Sequence, residues 1–251
     1  MASSTNILIS GVNRGLGKEF VKQYLARPNH IVVGTVRDIK SADALDLLNL
    51  PTAQGTKLVL VKIESTSTSD AFEAAKELQQ THGIWKLDVV IANAGTVGQQ
   101  GPMESINPQN VAEVYMVNSV GPTFLFLAFK PLLDRAESPK WMAISSAVAS
   151  IQDFQKYAFF KMYPYNASKA ALNHFTKTIH VDFPNIVAFS VSPGFLETDM
   201  GRGAVKAYGL EEPQFEDLTL SVKGLIGMVD NATKEKYSGQ FINFNGDVIP
   251  W

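Results

Sequence analysis

The chain has 251 residues, 45% of them hydrophobic and 18% charged, an ordinary globular composition with enough material to bury a large core. A formal net charge of −2 gives no electrostatic case for nucleic acid or an anionic membrane as a partner. The absence of cysteine removes disulfides, thiol nucleophiles and cysteine metal sites. His30, His82, His174 and His180 form no ligand constellation, so no metal is expected. The opening Met-Ala-Ser-Ser-Thr carries no basic region followed by an apolar run of signal-peptide length. The most apolar window, Val120 to Leu133, is cut by Pro122, Lys130 and Pro131, so no membrane span is expected. A soluble, cytoplasmic protein of one domain is the resulting expectation.

In chain order, Asn6 to Ser10 is a short apolar run that predicts a buried strand, and a glycine-rich turn follows it. Leu16, Phe20, Tyr24 and Leu25 then recur on one side of a helix. Further strands are predicted at His30 to Val36, Leu58 to Ile63, Leu87 to Ala92, Trp141 to Ser145, Ile186 to Val191 and Gly239 to Phe244. Helical patterns cover Ser41 to Leu50, Ser69 to His82, Pro108 to about Leu133 with a kink or break at Pro122, and Tyr165 to His180. Strands alternating with helices along the whole chain predict an α/β fold, a doubly wound parallel sheet of about seven strands with helices on both faces. Ligands bind such sheets beyond the carboxyl ends of the strands. The glycine turn, Asn93-Ala94-Gly95, Ser146 and Pro193-Gly194 all fall there.

The turn Gly11-Val12-Asn13-Arg14-Gly15-Leu16-Gly17 has the context a pyrophosphate needs. Glycines let backbone N–H groups approach the phosphates, and the helix N-terminus faces the negative charge. A plain tight turn between strand and helix would look the same. A Walker-type phosphate loop is excluded, because Val12 and Glu19 stand where glycine and Ser or Thr are required. At the end of the second strand, where an acidic residue would hold the ribose hydroxyl of NAD, the chain has Arg37. With Arg14 it offers two guanidinium forks suited to a 2′-phosphate, which favours NADP(H). Asp38 is the competing feature, able to pair with Arg37 or to reach the ribose itself.

Tyr165 and Lys169 stand four apart at the head of the last long helical pattern and share a face. A phenol beside an ammonium is a tunable acid, although plain packing gives the same spacing. Free Tyr has a pKa of ~10, and bringing it to neutrality takes roughly 4 kcal/mol at ~1.4 per unit. One ammonium ~4 Å away at an effective dielectric of ~20 would supply about that much.

Taken in order, the Gly11/Gly15/Gly17 turn, Asn93-Ala94-Gly95, Asn118, Ser145-Ser146, Tyr165-x-x-x-Lys169 and Pro193-Gly194 with Thr198 resemble the short-chain dehydrogenases/reductases. The likeness runs from about Ile7 to the C-terminus. Within that family, Asn13-Arg14-Gly15-Leu16-Gly17, Gly34-Thr35-Val36-Arg37 and the ending Gly246 to Trp251 look like the carbonyl-reductase-like branch that includes fungal polyketide ketoreductases. The resemblance implies a Rossmann-type fold. It also implies hydride transfer from NADPH to a ketone or aldehyde, with Tyr165 as the acid and Lys169 tuning it and holding the nicotinamide ribose. Ser146 would bind the carbonyl oxygen, and Asn118 a water linking Lys169 to solvent. Thr198 would bind the carboxamide, Asn93, Ala94, Gly95, Pro193 and Gly194 would line the cofactor, and Glu64 would stand at its adenine end.

Three positions depart from the family pattern: Ser10 for Thr, Ala92 for Asn, and Glu64 for Asp. The stretch between Ser146 and Tyr165 is also longer, and Phe154 to Tyr163 adds aromatic residues expected to face substrate. Tyr163 lacks a lysine at the helical spacing, and Ser145 should point to the other face of the sheet. The segment 195–218 carries three glycines and is expected to act as a lid. The resemblance further implies a dimer or tetramer paired through Pro108 to Leu133 and Tyr165 to His180. Two alternatives stay open: a non-catalytic NADP(H) sensor or scaffold, and another transformation of a secondary metabolite on the same fold.

Overall fold

The computed structural model describes residues 4–211 and 213–251, so the first three residues of the N-terminal stretch and residue 212 of the expected lid lie outside the described residues. The strands are β1 (Thr5–Ser10), β2 (His30–Val36), β3 (Lys57–Lys62), β4 (Val89–Ala92), β5 (Lys140–Ile144), β6 (Val187–Ser192) and β7 (Phe241–Asn243). They form one sheet in the order β3-β2-β1-β4-β5-β6-β7, with every neighbouring pair parallel. The helices are α1 (Gly15–Leu25), α2 (Ala42–Leu48), α3 (Asp70–Gln80), α4 (Pro108–Tyr115), α5 (Gly121–Leu133), α6 (Phe154–Tyr157), α7 (Tyr163–Asp182), α8 (Asp199–Tyr208) and α9 (Leu218–Asn231).

Because every crossover carries a helix, both faces of the sheet are covered and the strands are apolar on both sides. Ile7 and Ile9 of β1 join one core with Phe20 and Leu25 of α1 and Leu225 of α9, while Leu8 joins the other with Leu78 of α3 and Phe129 of α5. Alternation along β5 does the same: Met142 and Ile144 face the first core and Trp141 the second. Trp141 sits edge-on to Phe126 and Phe175, which fixes α5 and α7 against the sheet.

The helix runs on through Pro122 without a break. The residues Met116–Val120 instead form a π-helical turn joining α4 to α5, with the Gly121 N–H reaching back to the Met116 carbonyl. An α-helical ladder would pair the Asn118 carbonyl with the N–H of residue 122, which proline lacks. The widened turn absorbs that mismatch and lets the helix run on to Leu133.

One expectation is corrected here. The continuous 26-residue run Pro108–Leu133 contains a window of mean hydropathy 1.3, so by length and composition it could cross a membrane. Its apolar content has a use inside the fold, since Leu125, Phe126, Phe129 and Leu133 fill the core beneath β4 and β5. Helices α6, α8 and α9 were not read from the sequence. In α9, Gly224 and Gly227 mask a helix whose Val222, Leu225 and Val229 pack into the first core.

Candidate active site

The glycine turn follows β1 and is held from three sides. Gly11 and Gly15 take left-handed backbone angles, φ 69° and 55°. The N–H groups of Gly11 and Val12 both donate to the Thr35 carbonyl of β2, at 3.1 Å each. Just beyond β4, the Asn93 Nδ2 group donates to the carbonyls of Ser10 (2.8 Å) and Gly11 (3.1 Å), and the Ser10 hydroxyl accepts from the N–H groups of Asn93 and Ala94. The Asn93 side chain therefore shapes the turn. A Cβ on Gly17 would lie 2.2 Å from the Gly11 oxygen and 2.7 Å from Asn93 Nδ2, so only glycine fits. This cradle at the start of α1 fits a pyrophosphate.

Asn13, Arg14, Gly15, Glu197, Thr198 and Asp199 border a cleft of about 470 Å³ beside the turn. Leu16, next in the chain, packs into the first core. Arg14 does not stand free: its Nη1 pairs with Asp199 at 3.0 Å, and Asp199 also pairs with Arg202 at 2.7 Å. Arg37 is exposed at the end of β2. Asp38 is used locally, accepting from the Lys40 N–H at 2.8 Å and, through its carbonyl, from Ser41. Glu64 follows β3, where its N–H donates to Asp70 Oδ2 at 2.9 Å. Asp70 also accepts from Ser67 (2.6 Å) and Lys62 (2.9 Å), and these contacts, the Ser67 bond foremost, hold its carboxyl down at about 2. Nothing in the sequence marked Asp70 as the organiser of this turn.

Beyond β6, Gly194 takes φ 87°, and the Pro193 carbonyl accepts from the Ser221 hydroxyl of α9 at 2.6 Å. Thr198 caps α8 through its hydroxyl, which accepts from the Gly201 N–H, and its methyl lies against Gly15. Leu196 bridges to Glu216, and the Glu216 N–H donates to the Phe195 carbonyl at 2.8 Å. The two ends of the segment from Phe195 to Glu216 are thus fastened side by side.

The proposed catalytic residues converge beyond the end of β5. Asn118, fully buried in the π-helical turn, accepts from the Thr96 N–H at 2.8 Å. Its Nδ2 donates to the Thr96 carbonyl (2.8 Å) and to Ser168 Oγ (3.0 Å). The side chain expected to hold a water is committed to these protein partners, which leaves its backbone carbonyl for any such task. Lys169 Nζ donates to the Ile144 carbonyl at 2.7 Å and lies 5.8 Å from the Tyr165 ring centroid. Gly95 presses against both residues, since a Cβ there would stand 3.3 Å from Asn118 Oδ1 and from Lys169 Nζ.

The electrostatics correct the simple picture of a lysine that lowers the tyrosine. Burial dominates, pushing the Tyr165 phenol up to about 12, while the Ser146 hydroxyl beside it pulls the other way. The same burial pushes the Lys169 ammonium down to about 8. Lys169 is thus a cation at neutral pH, though a desolvated one, and the phenol is fully protonated. An acid that must donate a proton to a carbonyl is loaded in this state.

The Ser145 Oγ is buried with no partner among the described residues. Tyr163 begins α7 and is half-exposed. Of the residues that build the site, Ser168 and Thr96 were not assigned roles from the sequence; Ser168 lies between Tyr165 and Lys169, and the i+3 spacing to Tyr165 was its one signal. Among the described residues, no group of three or more His, Asp and Glu side chains is arranged to hold a metal.

A family model described as short chain dehydrogenase matches residues 5–209. The chain belongs to the short-chain dehydrogenase/reductase family. A short-chain dehydrogenase of Pyricularia oryzae is 36% identical over 253 residues, covering 100% of both chains. The norsolorinic acid ketoreductase of Emericella nidulans is 35% identical over 250 residues, covering 98% of this chain and 94% of that protein. Among solved structures, an NADPH-bound carbonyl reductase from chicken fatty liver superposes with a TM-score of 0.87 at 30% identity, covering 99% of this chain and 100% of that one. The protein is therefore an oxidoreductase of that family, similar to carbonyl reductases and ketoreductases.

Proposed function

We propose that the protein reduces a bulky, aromatic ketone or aldehyde with NADPH, as part of secondary metabolism. The observation that carries this is the meeting of Ser146 and the protonated, buried Tyr165 phenol, with the Lys169 cation one helical turn on. The bound dinucleotide would supply a hydride to the carbonyl carbon. Ser146 holds the carbonyl oxygen and stabilises its growing negative charge. Tyr165 gives that oxygen its proton, and the phenolate left behind is stabilised by Lys169. The backbone carbonyl of Asn118, for which Pro122 has no N–H to offer, suits the next step of proton return.

NADPH rather than NADH is supported by Arg37, exposed just beyond β2, and by the local engagement of Asp38, while Arg14 would have to leave Asp199 to join it. The relatives named above, one a ketoreductase and one an NADPH-bound carbonyl reductase, support the same choice of substrate and cofactor. Pairing through α4–α5 and α7 as a dimer or tetramer, motion of the lid over 195–218, and a cytoplasmic location belong to the same proposal.

The test is to follow loss of reduced nicotinamide with aryl ketones and aldehydes, using NADPH and NADH separately. Tyr165→Phe should abolish turnover and keep NADPH affinity, and retained turnover would sink the assignment. Arg37→Asp should move preference toward NADH, and an unchanged ratio would remove Arg37 from cofactor choice. Tight NADPH binding without turnover on any carbonyl would mark a dinucleotide sensor.

A further inference from the structure

The stretch Gly246 to Trp251, which the proposed chemistry leaves without a role, turns back on the sheet. Gly246 takes φ 97°, its N–H donates to the Asn243 carbonyl at 2.8 Å, and the Asn245 amide donates to the Asp247 carboxylate at 2.8 Å. Val248 then bridges antiparallel to Ile242, and the Ile249 N–H donates to the Phe241 carbonyl at 2.8 Å. These bonds cover β7, the strand at one edge of the sheet.

Trp251 meets three elements at once. Its ring stacks on the fully buried Phe241 of β7, with centroids 5.8 Å apart and planes 23° apart. The Lys177 ammonium of α7 lies 5.7 Å from the same ring and donates to the Gly239 carbonyl at 2.7 Å, just ahead of β7. The Trp251 carbonyl accepts from the Gln152 N–H at 3.0 Å. Gln152 follows closely on Ser146 and opens the aromatic stretch. Between them Ser150 is buried, and its Oγ accepts from the Asp153 N–H at 3.0 Å. The far end of the stretch is anchored separately: the Lys161 carbonyl accepts from the Gly101 N–H at 2.8 Å, and Met162 clusters with Val148 and Tyr165.

We infer that Trp251 is a positioning residue for the reaction: from β7 and α7 it sets where the aromatic stretch 152–162 leaves Ser146, and so the room for substrate beside Tyr165. This rests on the reading of the site as a carbonyl reductase. The indole is suited to the task because stacking and the lysine contact keep it ordered while 39% of it is exposed, and an ordered ring fixes the carbonyl that Gln152 uses. Only one helical turn, α6, lies within the stretch, and Phe154 and Phe159 are exposed, so its two ends carry much of its placement. Losing the ring frees the near end, while the far end and the α7 residues Tyr165 and Lys169 stay where they are.

The experiment follows deuterium exchange on the NADPH-loaded full chain, wild type against Trp251→Ala, with steady-state kinetics on acetylnaphthalene as a wide ketone and butanedione as a small one. Exchange across 152–162 should quicken about tenfold in the variant, with α7 and β6 unchanged. KM for acetylnaphthalene should rise about tenfold, while its kcat, the KM for butanedione and NADPH affinity stay within about twofold. Trp251→Phe, which keeps a ring on Phe241, should return both readouts most of the way to wild type. Unchanged exchange across 152–162, exchange raised alike in every element, or a KM that is unchanged or rises equally for the two ketones overturns the inference. Faster exchange confined to 152–162 in a protein that reduces neither ketone upholds the tether and sinks the reductase reading instead.

Discussion

Asn118 Nδ2 donates to Ser168 Oγ at 3.0 Å, and Ser168 Oγ donates to the Tyr165 carbonyl at 2.8 Å. The π-helical turn and the first turn of α7 are therefore joined through one serine, and the phenol's position depends on it. Ser168→Ala should cost about 1–2 kcal/mol of stability, since a buried Asn118 donor loses a partner. It should also lower kcat about tenfold through misplacement of Tyr165, with NADPH affinity unchanged. Thermal melts, steady-state kinetics and cofactor titration check the three effects; a weakened NADPH affinity would mean the serine acts on the cofactor.

The buried pair predicts an asymmetric pH response. Burial puts Lys169 at about 8 and Tyr165 at about 12, so near neutrality the lysine is charged and the tyrosine protonated, as reduction requires. As pH rises through about 8 the ammonium is lost, and kcat/KM for ketone reduction should fall about tenfold per pH unit. Alcohol oxidation needs the phenolate together with the ammonium, so it should rise up to about pH 8 and level off above it. A reduction rate that stays flat well above pH 8 would remove Lys169's charge from the mechanism.

Two glycines give a matched contrast. At Gly17 an added Cβ meets the Gly11 carbonyl at 2.2 Å, where no flexible atom can yield, so Gly17→Ala must open the turn. NADPH affinity should drop at least ~100-fold, with about 2 kcal/mol or more of stability lost. At Gly203, in α8, an added Cβ meets nothing within 4 Å. Gly203→Ala should leave cofactor binding intact and gain up to ~1 kcal/mol from helix propensity. Calorimetric titration and melts of the two variants separate a required glycine from a tolerated one.

Asp70 links stability to acid. Its folded pKa, about 2, lies below the unfolded value, so its contribution is complete above ~4 and disappears as pH falls through about 2. Lys62 reaches it from a solvent-exposed position, and screening leaves a contribution of about 1 kcal/mol. Asp70→Asn should therefore lower stability by about that amount at neutral pH, with the gap to wild type closing between pH ~4 and ~2. Urea melts across that range measure it. A gap that persists at the acid end would point to packing instead of charge.

The fold was legible because its parallel strands are short β-branched runs punctuated by glycine turns, and α7 is a long periodic pattern. Boundaries moved where side chains intervened: β4 begins at Val89, since the Asp88 carboxylate takes the Asn6 N–H and the Leu87 N–H goes to Leu132 at the end of α5. The glycine turn, Ser146, Tyr165 and Lys169 were visible because their spacing and strand-end placement repeat a family order. The balance between Tyr165 and Lys169 was not, because burial is a property of the folded whole; spacing supplied the neighbour and missed the desolvation. Pro122 misled for a related reason, since a widened turn can accept a proline that an α-helix would reject. The pairing of Arg14 with Asp199 joins residues 185 positions apart, a distance at which one sequence carries no signal.

The neck where Leu196 meets Glu216 has a consequence for how this chain can diversify. Entry and exit of the segment between them are fixed to each other, so its length is decoupled from the sheet. Lengthening a loop whose ends are already joined costs little, about 0.6 kcal/mol for each doubling. Residues can thus be inserted, deleted or exchanged between 203 and 215 while Thr198 and Asp199 stay on the glycine turn and β6, α9 and α7 keep their places. The neck makes this stretch an exchangeable cassette, through which one oxidoreductase core can be refitted to new substrates.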